Sequence, residues 1–167
     1  MRTIRQAILA DTPRIAEIHV AGWQQAYRGI VPDEILDTMK PGDRQILWDE
    51  LVQENYGDLL VAISADRISG FCHLIPSRDN DAGEAHEIAA IYIDPTTWRQ
   101  GCGRALCEHA LVIAREHDVP AVTLWVLTQN TAAQRFYEAM GFAPDGATKT
   151  EERPELTLEE TRYRIDI

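Results

Sequence analysis

The stretch that most limits how this chain can fold runs from Glu87 to Leu106. An apolar run, Glu87-Ile88-Ala89-Ala90-Ile91-Tyr92-Ile93, is stopped by Asp94-Pro95; Thr96-Thr97-Trp98-Arg99-Gln100 then leads into Gly101-Cys102-Gly103-Arg104-Ala105-Leu106. β-Branched and aromatic residues favour a strand over Glu87 to Ile93, the proline ends it, and the spacing that resumes near Arg104 predicts a helix to His117. Strand, glycine turn and helix in that order form a concavity. Glycines let backbone N–H groups converge there and the helix N-terminus adds partial positive charge, which together suit a pyrophosphate. A Gly-x-Gly pair alone is weak evidence, because glycines are common in purely structural turns. A dinucleotide-binding fold would place its glycines directly after the strand, with a third for close helix packing. Here Asp94 to Gln100 intervene, Leu106 stands at the third glycine position, and the next strand ends in Leu127-Thr128-Gln129 with no acidic residue for a ribose. The dehydrogenase reading is set aside.

The rest of the chain supplies partners for this unit. Ile4 to Ile8 reads as a strand, and Asp11-Thr12-Pro13 as an N-cap with a first-turn proline. In the helix that follows, Ile15, Ile18, Gly22 and Ala26 mark a core face, beside a stripe of His19, Trp23 and Tyr27. Pro32 and Pro41-Gly42 bracket a short helix, and Asp43 can cap another that turns Ile46, Leu47 and Leu51 inward. Leu59 to Ile63 and Ile68 to Ile75 form a hairpin about Ser64 to Arg67, and the polar loop Ser77 to Glu84 reads as mobile. Val122 to Leu127 is a strand; Asn130 caps a helix over Thr131 to Met140, which Gly141 ends. Phe142 onward and Glu160 to Asp166 read as two closing strands around a charged loop. No linker or repeat interrupts this order. The fold class is α/β (α+β type): one domain over residues 1–167, with a mixed, largely antiparallel twisted sheet flanked by about four helices.

Composition narrows the function classes. With 45% hydrophobic residues the chain can bury a continuous core. No stretch approaches the ~20 apolar residues of a membrane helix, and the N-terminus carries no apolar signal run, so membrane insertion and secretion are not expected. Three cysteines, Cys72, Cys102 and Cys107, form no close zinc-type pair and read as reduced thiols of a cytoplasmic protein. A formal charge of −11 opposes nucleic-acid binding; it could attract a cationic acceptor such as a polyamine or a lysine-rich peptide, although many soluble proteins are acidic only for solubility. A homodimer is compatible with this composition.

The turn Trp98-Arg99-Gln100-Gly101-Cys102-Gly103 resembles the Gln/Arg-x-x-Gly-x-Gly/Ala signature of the GNAT superfamily of N-acetyltransferases. Trp98 departs from it at the first position, with Arg99 adjacent. A second segment, Asn130-Thr131-Ala132-Ala133-Gln134-Arg135-Phe136-Tyr137-Glu138-Ala139-Met140-Gly141-Phe142, is similar to that family's Asn-x-x-Ala-x-x-Phe-Tyr-x-x-x-Gly-Phe. The resemblance implies acetyl-CoA as acetyl donor and a primary amine of a small molecule or peptide as acceptor; a CoA-binding sensor without transfer is the alternative. It further implies that Ile91, Tyr92 and Ile93 pair with the pantetheine amides. Arg99, Gln100, Gly101, Cys102, Gly103, Arg104 and Ala105 would hold the pyrophosphate, and Asn130 and Tyr137 would flank the pantetheine arm and sulfur.

Transfer to an amine needs a proton acceptor, since a lysine-like amine of pKa ~10.4 is protonated at neutral pH. Glu87, His73, His86 and a water chain are the candidates. Glu87 is preferred, because related sequences often carry a carboxylate at the start of the central strand; as a bare strand-end residue it would simply be a solvated charge. A backbone N–H of that strand could stabilise the oxyanion if a bulge frees it from the ladder. The resemblance gives Tyr137 the role of acid toward the leaving thiolate, while periodicity alone makes it an aromatic beside the Phe136/Met140 stripe. Trp23 and Tyr27, just before the Arg28 to Pro32 loop, are expected to line the acceptor pocket, with core packing an equal alternative. His86-Glu87-Ile88-Ala89-Ala90 lacks the second histidine of a zincin, and no metal is expected. Cys102 has no organised His or Asn partner, which argues against covalent catalysis.

Overall fold

The computed structural model describes residues 1–167. Strands β1 (Arg2–Gln6), β2 (Asp58–Ser64), β3 (Arg67–Pro76), β4 (His86–Ile93), β5 (Ala121–Leu127), β6 (Ala143–Arg153) and β7 (Leu156–Asp166) form one sheet in the order β1-β2-β3-β4-β5-β7-β6. Five α-helices accompany it: α1 (Thr12–Ala26), α2 (Asp33–Thr38), α3 (Pro41–Gln53), α4 (Cys102–Glu116) and α5 (Thr131–Ala139). Every neighbouring pair is antiparallel except β4 and β5, which α4 connects. A parallel pair requires such a crossover, and the sequence provides it between Ile93 and Ala121.

Strand alternation divides the core in two. On one face Leu60, Cys72, Leu74, Ile88, Val122, Leu124 and Val126 pack against Leu106, Cys107, Ala110 and Ala114 of α4, with Ile91 and Ile93 at the margin. The small residues Ala110 and Ala114 let the helix lie close to the strands. Leu106 is fully buried, so its truncation to alanine would cost about 2–5 kcal/mol. On the other face Leu59, Val61 and Phe71 pack on Ile15, Ile18 and Trp48, with Ala90 and Tyr92 alongside.

Two irregularities of β4 position the site. Its pairing with β5 registers only at His86↔Val122 and Glu87↔Thr123, after which the strands diverge and Ile88 to Ile93 lose their neighbour on that side. On the β3 side, His73 opposes Ala90 while Leu74 opposes Ile88, leaving Ala89 as the extra residue of a β-bulge.

The structure corrects several expectations. Helix α3 starts at Pro41 and buries Trp48, while Ile46 and Leu47 are exposed. Its inward face is the i, i+3, i+4 set of Trp48, Leu51 and Val52. Asp11 does not cap α1 through its side chain but accepts hydrogen bonds from Arg5 and the Ile8 amide. The charged stretch before Glu160 is strand: β6 and β7 form a long hairpin of cross-strand polar pairs such as Thr148↔Thr161 and Lys149↔Glu160. The loop after β3 is tethered by Arg162, whose guanidinium bonds Asp79 and Asp81 as well as Asp145. No helix is long and apolar enough to cross a membrane.

Candidate active site

The free edge of β4 leads into the glycine turn. Arg99 and Gly101 both take left-handed backbone, at φ 60° and 78°, and Gly101 is the N-cap residue of α4. Left-handed φ is costly for most side chains, so glycine is the natural residue where the turn enters the helix. Arg2 donates to the Gln100 carbonyl at 2.8 Å and ties the turn to β1. The Trp98 indole donates to the Ile93 carbonyl at 3.0 Å, so the residue that departs from the family signature closes the end of β4. A Cβ added at Gly103 would sit 3.4 Å from the Phe136 ring, which brings α4 and α5 together. Cys102 is buried with its Sγ 3.4 Å from Ser69 Oγ, so its side chain turns away from the outer surface of the turn and only its backbone faces it. Arg99, Gln100 and Arg104 are exposed on the turn, and Ala105 is half-buried in the first helical turn.

At the start of α5, Asn130 Oδ1 accepts from the Ala133 amide at 3.2 Å, which is the expected cap. One helical position past Phe136, the half-buried Tyr137 ring lies edge-on to Phe136 and Phe142, at 5.2 and 5.9 Å between centroids. Burial pushes its hydroxyl pKa well above the ordinary tyrosine value, with smaller upward contributions from Cys107, Tyr92 and Cys72. At neutral pH Tyr137 is therefore a hydrogen-bond donor and never a base.

Ile91, Tyr92 and Ile93 separate according to the pleat. Ile91 and Ile93 border the α4 core, whereas the Tyr92 side chain enters an aromatic cluster on the α1 face. Trp23 Nε1 donates to Tyr92 Oη at 2.9 Å, Tyr27 Oη lies 3.4 Å from the same oxygen, and His19 stacks on the ring at 5.0 Å. Trp23 and Tyr27 are half-buried and also border the small core of Val31, Leu36, Leu127 and Leu158. Beside this core an open depression of about 240 Å³ is lined by Ile30, Leu127, Gln129, Thr157, Leu158 and Glu159. Tyr27 is held well above its ordinary pKa, by burial first and then by Tyr92, Tyr137 and Glu160. The hydroxyls of Tyr27, at the C-terminal end of α1, and Tyr92 of β4 thus meet on this face.

Glu87 is buried, at 2% exposure, which rules out a solvated strand-end charge. Its Oε1 lies 2.5 Å from Arg78 Nη2, and its Oε2 accepts from Arg78 Nε and the Arg78 amide at 3.3 and 3.2 Å. A fork of this kind fixes the carboxylate in one orientation. His73 Nε2 contacts the Tyr56 carbonyl at 2.7 Å; a carbonyl only accepts, so that nitrogen carries the proton. His86 has a buried Nδ1 without a partner and lies edge-on to His117 at 5.3 Å, at the opposite end of β4 from the glycine turn. Sequence reasoning missed Arg78 and Glu160; each is an ordinary charge in a polar stretch, and only the tertiary fold brings it to this face.

A half-open parallel strand pair, a bulge in the central strand and a glycine turn opening the crossover helix define an acyltransferase of the CoA-dependent type. Residues 14–142 match the family model of the acetyltransferase (GNAT) family, and the chain belongs to that family. It is 30% identical over 139 residues to the uncharacterised N-acetyltransferase YuaI of Bacillus subtilis, covering 83% of this chain and 79% of that one. Among solved structures, the PaiA N-acetyltransferase of Thermoplasma acidophilum, in complex with coenzyme A, superposes with TM-score 0.78 at 20% identity, covering 100% of this chain and 99% of that one. YncA of Salmonella typhimurium, solved with acetyl-CoA, gives TM-score 0.75 at 23% identity over 99% and 94% of the two chains.

Proposed function

We propose that this enzyme transfers the acetyl group of acetyl-CoA directly to a primary amine. The observation that carries the reading is the divergence of β4 from β5 after Glu87 and Thr123, which frees the Ile88 to Ile93 backbone beside a glycine turn. Unpaired strand N–H and C=O groups suit the amides of a pantetheine arm, which can pair with them as a strand would. Exposed Arg99, Gln100 and Gly101, with the backbone of Cys102 to Ala105, then hold the pyrophosphate, aided by the positive end of α4. Asn130 flanks the arm.

Acetyl-CoA supplies an acyl thioester; the chain supplies three functions around it. An N–H at the Ala89 bulge, released from the β3 ladder, stabilises the negative charge that develops on the acetyl oxygen. Tyr137 donates a hydrogen bond to the departing sulfur. A thiol ionises near ~8.5 and a phenol near ~10, so a tyrosine raised still further retains its proton and stabilises the thiolate without losing it. Glu87 is the proton acceptor, reached through water because its carboxylate is buried, with Arg78 keeping it oriented. Trp23 and Tyr27 line the acceptor side, where their half-burial leaves part of each ring to meet a ligand.

The test is release of CoA thiol from acetyl-CoA across a panel of amines and peptides, run beside CoA-dependent thermal stabilisation. Release with at least one amine supports transfer. Stabilisation without release from any of them would leave a CoA-binding sensor. Glu87→Gln should lower turnover by roughly 10²- to 10⁴-fold with CoA-dependent stabilisation retained; unchanged turnover assigns the proton to water or another group.

A further inference from the structure

The face of β5 and β7 opposite α4 carries a cation site that takes no part in the transfer steps themselves. On β5, Leu124 and Val126 point into the α4 core, so Trp125 and Leu127 point the other way. On β7, Leu158 packs in the same small core as Leu127, Trp23 and Tyr27, which places Glu160 and Arg162 on that face too. Glu160 pairs in register with Leu127, at the end of β5 that has left β4. Its carboxylate is largely sheltered, at 18% exposure, and lies 3.4 Å from the ammonium of Lys149. The same ammonium stands 4.3 Å above the centre of the Trp125 ring. A carboxylate and an indole face around one primary ammonium make a built cation site. Arg162 also lies over the Trp125 ring, 5.6 Å from its centre, but its guanidinium is held in place by Asp79, Asp81 and Asp145 and makes no ion pair with Glu160.

We propose that Glu160 and Trp125 bind the second, non-reacting ammonium of an alkyl diamine acceptor, at a site that Lys149 of the chain itself now fills. The inference rests on the amine-transfer reading above and specifies its substrate class. A nitrogen held against a carboxylate and an indole face is stabilised as the cation, which opposes loss of the proton that attack requires. Such a site suits the nitrogen that does not react. It lies on the face that carries Tyr27 and Trp23, since Leu127, which Glu160 opposes, and Leu158 pack in one small core with both of them. Lys149 has an unbranched four-carbon stem and 43% exposure, so it can swing away when a ligand ammonium takes its place. Its charge leaves with it, and the incoming cation meets the uncompensated Glu160.

The experiment compares KM values for cadaverine, pentylamine and a peptide with one lysine and blocked termini, at saturating acetyl-CoA. In the wild-type enzyme cadaverine should have a KM about threefold below that of pentylamine, because displacing Lys149 offsets part of the roughly tenfold gain of a partly sheltered ion pair with a cation–π contact, and added salt should narrow the ratio. Glu160→Gln should bring the ratio toward one. Lys149→Met, which removes the resident cation and keeps its stem, should widen it by about threefold. A wild-type ratio of one, or a ratio unchanged in Glu160→Gln with wild-type melting, overturns the site. If Glu160→Gln does not fold, the salt and Lys149→Met arms decide in the same way. A clear preference for the single-lysine peptide over cadaverine overturns the diamine class. Absence of thiol release from every amine would remove the transfer reading alone. The site then stands or falls on whether cadaverine raises the wild-type melting temperature more than pentylamine does.

Discussion

Lowering the pH should destabilise this fold through His19, and the size of the effect follows from its surroundings. His19 is buried between α1 and the sheet; Trp48 Nε1 donates to its Nδ1 at 3.1 Å, and Tyr92, Trp48 and Phe71 enclose the ring. An indole N–H only donates, so Nδ1 must be unprotonated, and a second ring proton would break this bond. Burial, with a smaller contribution from the nearby Arg44, lowers the His19 pKa to about 4 from an ordinary value near ~6.5. The folded pKa lies below the unfolded one. The unfolded chain therefore binds the proton first as pH falls, and the stability present at neutral pH is lost between about 6.5 and 4. From pH 7 to 4.5 the loss is about 2.5 kcal/mol from this residue, on the order of a quarter to a half of a typical domain's stability. Urea unfolding at the two pH values measures it, with His19→Gln as the control, because glutamine keeps an acceptor for Trp48 and cannot ionise. The variant should lose about 2 kcal/mol less than wild type over the same interval. A His19→Gln protein with the wild-type pH dependence would refute the argument and move the effect to His73 and His86, whose pKa values burial also lowers.

Tyr137→Phe should keep the packing on Phe136 and Phe142 and leave acetyl-CoA affinity nearly unchanged, while turnover falls by roughly 10²- to 10³-fold, the scale of one lost donor to a developing charge; wild-type turnover under chemistry-limited conditions would leave Tyr137 a packing residue. Gly103→Ala should fold and still show CoA-dependent stabilisation, since its Cβ would meet Phe136 at 3.4 Å, whereas Gly103→Glu should lose that shift in thermal melts by placing negative charge beside the turn. Arg162→Met leaves Asp79, Asp81 and Asp145 without their shared cation, so amide exchange in the 77–85 loop should accelerate strongly; unchanged protection there would show that the loop is held by other contacts.

Much of this architecture is legible in the sequence where local rules and tertiary demands agree. Pro95, the cap at Asn130 and the left-handed Gly141 mark boundaries that the structure reproduces, because each acts through its own backbone. The expected orientation of α3 fails because Ile46, Leu47 and Trp48 are adjacent apolar residues, and periodicity cannot choose among them. The choice comes from Trp48, whose indole finds an acceptor in His19 on another helix. The β6–β7 hairpin is hidden for a similar reason. Its outer strand β6 lies at the sheet edge, polar on both faces, and shows no hydrophobic alternation. Of the site, the glycine turn and Tyr137 are visible through local motifs. The burial of Glu87 is not, since Arg78 is joined to it only when β3 and β4 pair.

The location of the site follows from the single parallel pair in an otherwise antiparallel sheet. β4 is secured by β3 on one side and β5 by β7 on the other, so the two can diverge after Glu87 without either losing its place. Both are twisted strands, and α4, packed across one face, spans the gap that the divergence opens. The cost is a row of β4 backbone groups left to water, each of which would contribute about 0.5–1.5 kcal/mol in a formed ladder. An amide-bearing ligand arm recovers those bonds, whereas a purely apolar chain of the same length cannot. The same divergence separates the two chemical faces: the glycine turn and Asn130 lie at the free edge, while Tyr92, Trp23 and Tyr27 stand on the α1 side. A donor thioester entering from one side and an amine from the other would therefore meet at the bulge, with Tyr137 reaching the sulfur from α5 and Glu87 fixed at the last residue of β4 that pairs with β5.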